Sequence, residues 1–219
     1  GVCMKFFNSK YPIICTPMNQ VSDAKLALAA YRAGIIPSLV ASNDLQMAYS
    51  QLTEFKAQGG NEIILAVSPL QMTFLRVCDM VMQFGVTHVM LLDSVKSVEV
   101  KEALQTLKAD GVKIIMKRLS CPLLAGNSRE YIDAIDLKGP DAASRVITDD
   151  NLTLMDRLLE MKQKFSDLPV IVTGGVSTSA EIRQYLDAGA VAVGLGTVFA
   201  LSEESCINYE KKLAMLEKS

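Results

Sequence analysis

Residues 169–199 read PVIVTGGVSTSAEIRQYLDAGAVAVGLGTVF, and this stretch decides the fold. Val170-Ile171-Val172 is a short apolar run that ends in Gly174-Gly175. Val191-Ala192-Val193 is a second one, running into Gly194-Leu195-Gly196-Thr197. Between them, Thr178 to Ala188 has the spacing of one amphipathic helix. The unit is strand, helix, strand, with glycine at the C-terminal end of both strands. Glycine there lets the backbone approach a ligand, and the free N–H groups at the following helix start can receive an anion. In a (β/α)₈ barrel, the loops after strands seven and eight are the usual phosphate site.

Working outward, the same alternation of short β-type runs and longer helical patterns fills the chain. Strands are expected at 12–18, 35–40, 62–67, 88–93, 113–119 and 134–138, before the two in the opening stretch. Helices are expected at 23–33, capped by Ser22 or Asp23 and stopped by Gly34, then at 43–58, 71–84, 95–109, 150–165 and 203–217. A short, poorly periodic segment, 121–131, stands in place of the helix after strand five, and 139–146 reads as a loop. Eight strands, each followed by a helix or its remnant, make an α/β fold: one compact TIM barrel over residues 1–219, with its phosphate site after strands seven and eight. A doubly wound open sheet would carry its glycine turn after the first strand. Here that strand ends in Thr16-Pro17-Met18-Asn19-Gln20, without glycine.

Composition narrows the function classes. Half of the 219 residues are apolar and 21% are charged, as in a globular protein with a substantial core. Net charge is −2 and no basic run occurs, so no nucleic-acid partner is expected. No apolar run is long enough to span a bilayer, and the start GVCMKFFNSKYPII has no signal-peptide pattern, so neither a membrane association nor export is expected. The five cysteines, Cys3, Cys15, Cys78, Cys121 and Cys206, are odd in number and widely spaced, which points to free thiols in the reducing cytoplasm. A homo-oligomer is left open.

Barrel chemistry sits at the C-terminal strand ends. The polar residues there are Asn19 and Gln20; Ser42 and Asn43; Ser68; Asp93 and Ser94; Lys117 and Arg118; Asp136 and Lys138, with Asp141 and Arg145 beyond; Thr173 to Thr178; and Gly194 to Thr197. Asp136 and Lys138 lie two apart on one strand and so share a face. If that face is the interior, they form a buried charged pair, structural or catalytic. His88, the only histidine, opens strand four at the opposite face and reads as structural. That excludes Ser/His and Cys/His nucleophile systems and histidine metal sites. Met18 sits in a loop at the active end, whereas the other methionines read as core filler.

Four stretches resemble the nitronate monooxygenase (2-nitropropane dioxygenase) family, with its flavin-dependent enoyl reductase relatives and, more distantly, the inosine-monophosphate dehydrogenase barrels. PIICTPM (12–18) resembles that family's opening PIIQAPM. Residues 26–38 resemble the next helix and its Ala-Gly-Gly step. IDAIDLKGPDAASR (132–145) resembles aDavvvqGxEAGGH. Gly174-Gly175-Val176 and 189–199 resemble GGI and GAdgVqmGTrF.

The resemblance implies FMN as cofactor. Its phosphate would rest on Gly174, Gly175, Gly196 and Thr197. Met18 and Asn19 would face the flavin ring, and Lys117 would lie near it. The implied activity is that of a monooxygenase flavoprotein. The family's glycine-glycine-histidine step falls on Ala143-Ser144-Arg145 and its glutamate on Asp141. A guanidinium is no base near neutral pH, but it pairs with an anion bidentately. Arg145 and Lys138 are therefore expected to hold a small anionic substrate, with Asp141 as candidate base. Two alternatives stay open. One is a flavin-free sugar-phosphate lyase or isomerase with Lys117 or Lys138 as Schiff-base amine and Asp93 or Asp136 as proton carrier. The other is a barrel that binds a phosphate ligand without catalysis.

Overall fold

The computed structural model describes residues 5–17, 23–118, 128–139, 153–174 and 178–196. Eight parallel strands form the sheet: β1 (Ile13–Cys15), β2 (Ser38–Val40), β3 (Ile64–Val67), β4 (His88–Leu91), β5 (Lys113–Arg118), β6 (Ala134–Lys138), β7 (Val170–Thr173) and β8 (Ala192–Leu195). They run in the order β1-β8-β7-β6-β5-β4-β3-β2. A parallel bridge from Ile14 to Ile36, just before β2, brings the two ends together into a nearly closed barrel. The helices are α1 (Ala24–Arg32), α2 (Leu45–Ala57), α3 (Phe74–Phe84), α4 (Val98–Ala109), α5 (Leu154–Lys164) and α6 (Ser179–Asp187). The expected (β/α)₈ architecture is therefore present, with one 3-10 turn, Ser128–Glu130, before β6.

Local chemistry sets the helix starts. The carboxylates of Asp23 and Asp44 accept from Leu26 N and Met47 N, and the Ser97 hydroxyl from Val100 N. Thr153 and Asp156 form a reciprocal capping box on α5. Most helices begin one to three residues later than their apolar pattern, because the cap residue and the turn before it share the polarity of the first turn.

Strands buried on both faces divide the core in two. The inward set is Ile14, Ile36, Ile64, Ala66, Met90, Ile115, Ala134, Ile171 and Ala192, with Phe7 beneath. Alternate residues such as Ile13, Leu65, Val89, Ile114, Ile135 and Val172 face the helices. Two residues beyond the inward apolar set, polar groups take over at the C-terminal mouth.

The opposite end is closed by the segment before β1. Phe7 stacks on His88 at 4.6 Å between ring centroids, and Phe6 meets the same ring edge-on at 5.3 Å. His88 Nε2 is 2.8 Å from the Phe6 carbonyl, which can only accept, so Nε2 carries the proton. Nδ1 lies 2.8 Å from Thr87 Oγ1. Burial lowers the His88 pKa to about 4 and keeps the ring neutral; the Phe6 carbonyl opposes this and the Lys113 charge adds to it. Lys113 Nζ donates to the Lys5 and Phe6 carbonyls at 2.8 and 2.9 Å. His88 thus fastens the N-terminal segment to the barrel floor, as its position at the start of a strand implies.

Candidate active site at the C-terminal mouth

Strand register assembles the mouth. Lys117 on β5 lies opposite Asp136 on β6, and Lys138 opposite Thr173 on β7. Thr173 pairs with Gly194 on β8, and Gly194 with Ile14 on β1. Thr16, two residues beyond Ile14, completes the arc by donating its backbone N–H to the Leu195 carbonyl at 3.3 Å.

Asp136 is the centre of this arc. It is wholly buried, and its Oδ1 accepts from the Thr173 hydroxyl at 2.9 Å. Among the described residues, Oδ2 has no hydrogen-bond partner. Burial pushes the carboxyl up to about 6, against the pull of the Lys117 charge, the Thr173 hydrogen bond and the Lys138 charge. Lys117 and Lys138 are only half-buried, so they present positive charge to the mouth above a carboxylate that solvent cannot reach. The shared face expected for Asp136 and Lys138 is the barrel interior, and register adds Lys117 to them.

Gly194 is required by close approach. A Cβ there would overlap Thr173 Cγ2 and come within 2.8 Å of Thr16 Oγ1. Thr16, Thr173 and Asp136 therefore form one continuous polar arc over β1, β8, β7 and β6. The Thr16 hydroxyl, like Asp136 Oδ2, is buried without a partner among the described residues. Gly174 ends β7 at φ +83°, a conformation that suits glycine, and is half-buried, as is Gly196 after β8. Gly139, at the end of β6, donates to the Thr173 carbonyl at 2.8 Å, which draws this strand end against β7. The start of α6 is partly self-satisfied. The Thr178 hydroxyl accepts from Glu181 N at 3.2 Å and lies 3.0 Å from Glu181 Oε1, so a carboxylate already sits on that turn.

Several expected residues serve the scaffold instead. The Ser68 hydroxyl donates to Asp93, and Asn43 accepts from Thr73 at 3.0 Å, both in exposed turns. Ser42 accepts from Asp44 N at 3.2 Å. Met18, Asn19, Gln20, Asp141, Arg145, Gly175 and Thr197 lie outside the described residues, as do Cys3, Cys121 and Cys206. Cys15 and Cys78 are buried, and burial raises the Cys78 thiol to about 12, which makes it inert. Thr16 and Ser38 escaped the sequence reading, although each follows an inward isoleucine by two residues, and that period was the available signal. The Ser38 hydroxyl donates to the Cys15 carbonyl and ties β2 to β1. Among the described residues no helix is long and apolar enough to cross a membrane, and no cluster of metal-ligating side chains occurs.

The family model of nitronate monooxygenase matches residues 78–219, more than half of the chain and all of β5 to β8. The chain belongs to the nitronate monooxygenase family. FMN is the usual cofactor of that family. Among solved structures, the nitroalkane oxidase from Streptomyces ansochromogenes superposes with a TM-score of 0.73 at 20% identity, covering 90% of this chain and 67% of that one. FabK from Thermotoga maritima and its M276A mutant give TM-scores of 0.74 and 0.75, both at 18% identity and 90% of this chain. The chain spans 61% and 65% of those two proteins. Among curated proteins, none matches the sequence.

Proposed function

We propose that this nitronate monooxygenase family member is an FMN-dependent oxidoreductase acting on a small anion, such as a nitronate or a carboxylate, at the mouth of the barrel. The family match over β5 to β8 carries the flavin and the reaction class. The mouth suits such a cofactor. Gly174 and Gly196 end neighbouring strands with no side chain over the backbone, which supports a phosphate there. Thr16 Oγ1 and Asp136 Oδ2 are buried polar atoms still lacking partners, as expected of a layer completed by a ligand. In this reading Gly174, Gly175, Gly196 and Thr197 hold the phosphate, and Met18, Asn19 and Lys117 border the ring. When bound, FMN supplies the electron transfer, singly or as hydride.

The rest falls to the chain. Lys138, with Arg145, holds the anionic substrate, and Asp141 is the candidate base. Lys117 supplies positive charge near the cofactor. No histidine takes part, because His88 is spent on the barrel floor, and this supports a substrate that arrives already as an anion rather than one deprotonated in place. The purified protein should be yellow and release FMN on denaturation. Lys138→Met should lower kcat/KM for an alkyl nitronate about tenfold or more, the loss expected for a charge-assisted contact, with FMN content unchanged. A colourless protein that takes up no added FMN would sink the reading.

The pairing of Lys117 with Asp136 favours one second reading, the Schiff-base lyase, in which a proton carrier must lie beside the amine. Borohydride trapping of a sugar phosphate on Lys117 in colourless protein would select it.

A further inference from the structure

The mouth holds a buried carboxylate whose second oxygen has no partner, directly under two cations. Asp136 Oδ1 is engaged by Thr173, whereas Oδ2 is enclosed and empty-handed. Among the described residues, the charges that reach Asp136 come from Lys117 on β5 and Lys138 on its own strand; β7 offers the uncharged Thr173, and β8 offers Gly194. The two lysines hold this carboxylate in its charged form against burial. Whatever neutralises the lysines removes that support.

We propose that Asp136 sets the charge of the mouth, taking up one proton at Oδ2 when a small anion settles on Lys117 and Lys138. The inference rests on the anion-binding reading above. It makes Asp136 a positioning and specificity residue, because it acts on the substrate through the two lysines. With Asp136 charged, the Lys-Asp-Lys set carries one net positive charge; with Asp136 neutral it carries two. Anion binding and protonation therefore favour each other, by the reciprocity of linked equilibria. The proton comes from solvent, and no other bond forms or breaks. Burial already brings this carboxyl to about 6, so the exchange falls within the working range of an ordinary protein.

Methanesulfonate tests this, since it stays a monoanion at every relevant pH. It would be titrated calorimetrically into the protein as purified, in buffers of different ionisation heat, from about pH 5 to about pH 8. Proton uptake should accompany each anion bound near neutral pH, and affinity should rise about tenfold toward the acid end, the effect of one pKa unit of coupling. In Asp136→Asn both effects should vanish. Should that variant not fold, Thr173→Val keeps the carboxyl but removes the bond that favours its charge, so the pH at which uptake peaks should move upward. Lys138→Met should weaken binding and locate the anion. Absence of binding, or proton uptake that is absent or indifferent to these changes, overturns the proposal. Colourless protein that still shows Asp136-dependent uptake would remove the flavin and leave this inference standing; yellow protein without uptake would remove this inference alone.

Discussion

Two clusters at opposite ends of this barrel treat their buried polar groups in opposite ways. At the N-terminal floor every polar atom of the His88 cluster is engaged: both ring nitrogens, the Thr87 hydroxyl and the Lys113 ammonium all have protein partners. At the C-terminal mouth, Thr16 Oγ1 and Asp136 Oδ2 are equally buried and have none among the described residues. A buried group without a partner costs roughly 1–3 kcal/mol, so a fold retains such groups where something other than stability requires them. The floor is built to hold the N-terminal segment; the mouth is left incomplete. That contrast, more than the kind of residue in either cluster, supports the proposal of a ligand at the mouth.

The harshest way to break the mouth is to fill it from below. Gly194→Ala places a methyl group on Thr173 Cγ2 and against Thr16 Oγ1, both on barrel backbone that has little freedom to move. The expected loss is about 3 kcal/mol, the upper end for overpacking a core, together with loss of the Thr173 hydrogen bond to Asp136. Urea denaturation measures the first, and the pH dependence of stability the second. A variant as stable as the parent would mean that the strands at the mouth are looser than the register implies.

The second test sets the two ends against each other by pH. His88 titrates at about 4 in the folded chain against an ordinary value of 6.5, so its contribution is present above 6.5 and is lost as pH falls through 4. Asp136 titrates at about 6 against 3.8, so its contribution is present below 3.8 and is lost as pH rises through 6. Each shift amounts to about 3 kcal/mol, with opposite sign across the same window. His88→Gln should therefore gain about 3 kcal/mol on the parent as pH falls from neutrality to about 4, whatever its offset at neutral pH. Asp136→Asn should gain a similar amount, about 3 kcal/mol, on the parent as pH rises over that window. Denaturation midpoints at several pH values read both slopes; parallel curves for parent and variants would remove the contrast.

Sequence alone conveyed the barrel because parallel strands buried on both faces are short apolar runs, and the glycines after Thr173 and Leu195 mark where two of them end. It conveyed the shared face of Asp136 and Lys138 because strand period is local. It could not bring Lys117 beside Asp136, since that is register between strands, set by the stagger of the whole barrel. Nor could it show that Thr178 and Glu181 satisfy one another, because a capping threonine looks the same whether its helix end receives an anion or a carboxylate of its own. Thr16 was hidden for a simpler reason. It follows Ile14 by two inside the expected strand 12–18, and a lone threonine there reads as part of the strand rather than of the mouth beyond it.

The mildest comparison uses one substitution at both ends. Thr→Val exchanges a hydroxyl for a methyl at nearly constant volume, so it reports mainly on hydrogen bonding. At the floor, Thr87 Oγ1 accepts from Ile63 N at 3.0 Å and lies 2.8 Å from His88 Nδ1. Thr87→Val leaves a buried amide and a ring nitrogen without partners and should cost about 2 kcal/mol. At the mouth, Thr16 Oγ1 has no partner to lose. Thr16→Val should be neutral or stabilising by up to about 1 kcal/mol, because an orphaned polar atom is replaced by an apolar one. Its effect should appear instead in ligand retention, as weaker uptake of FMN or of methanesulfonate by a protein of undiminished stability. Equal costs at the two sites would show that Thr16 is a structural residue like Thr87. A stable Thr16→Val protein with impaired binding would show that the vacant hydrogen bond at the mouth is kept for a ligand.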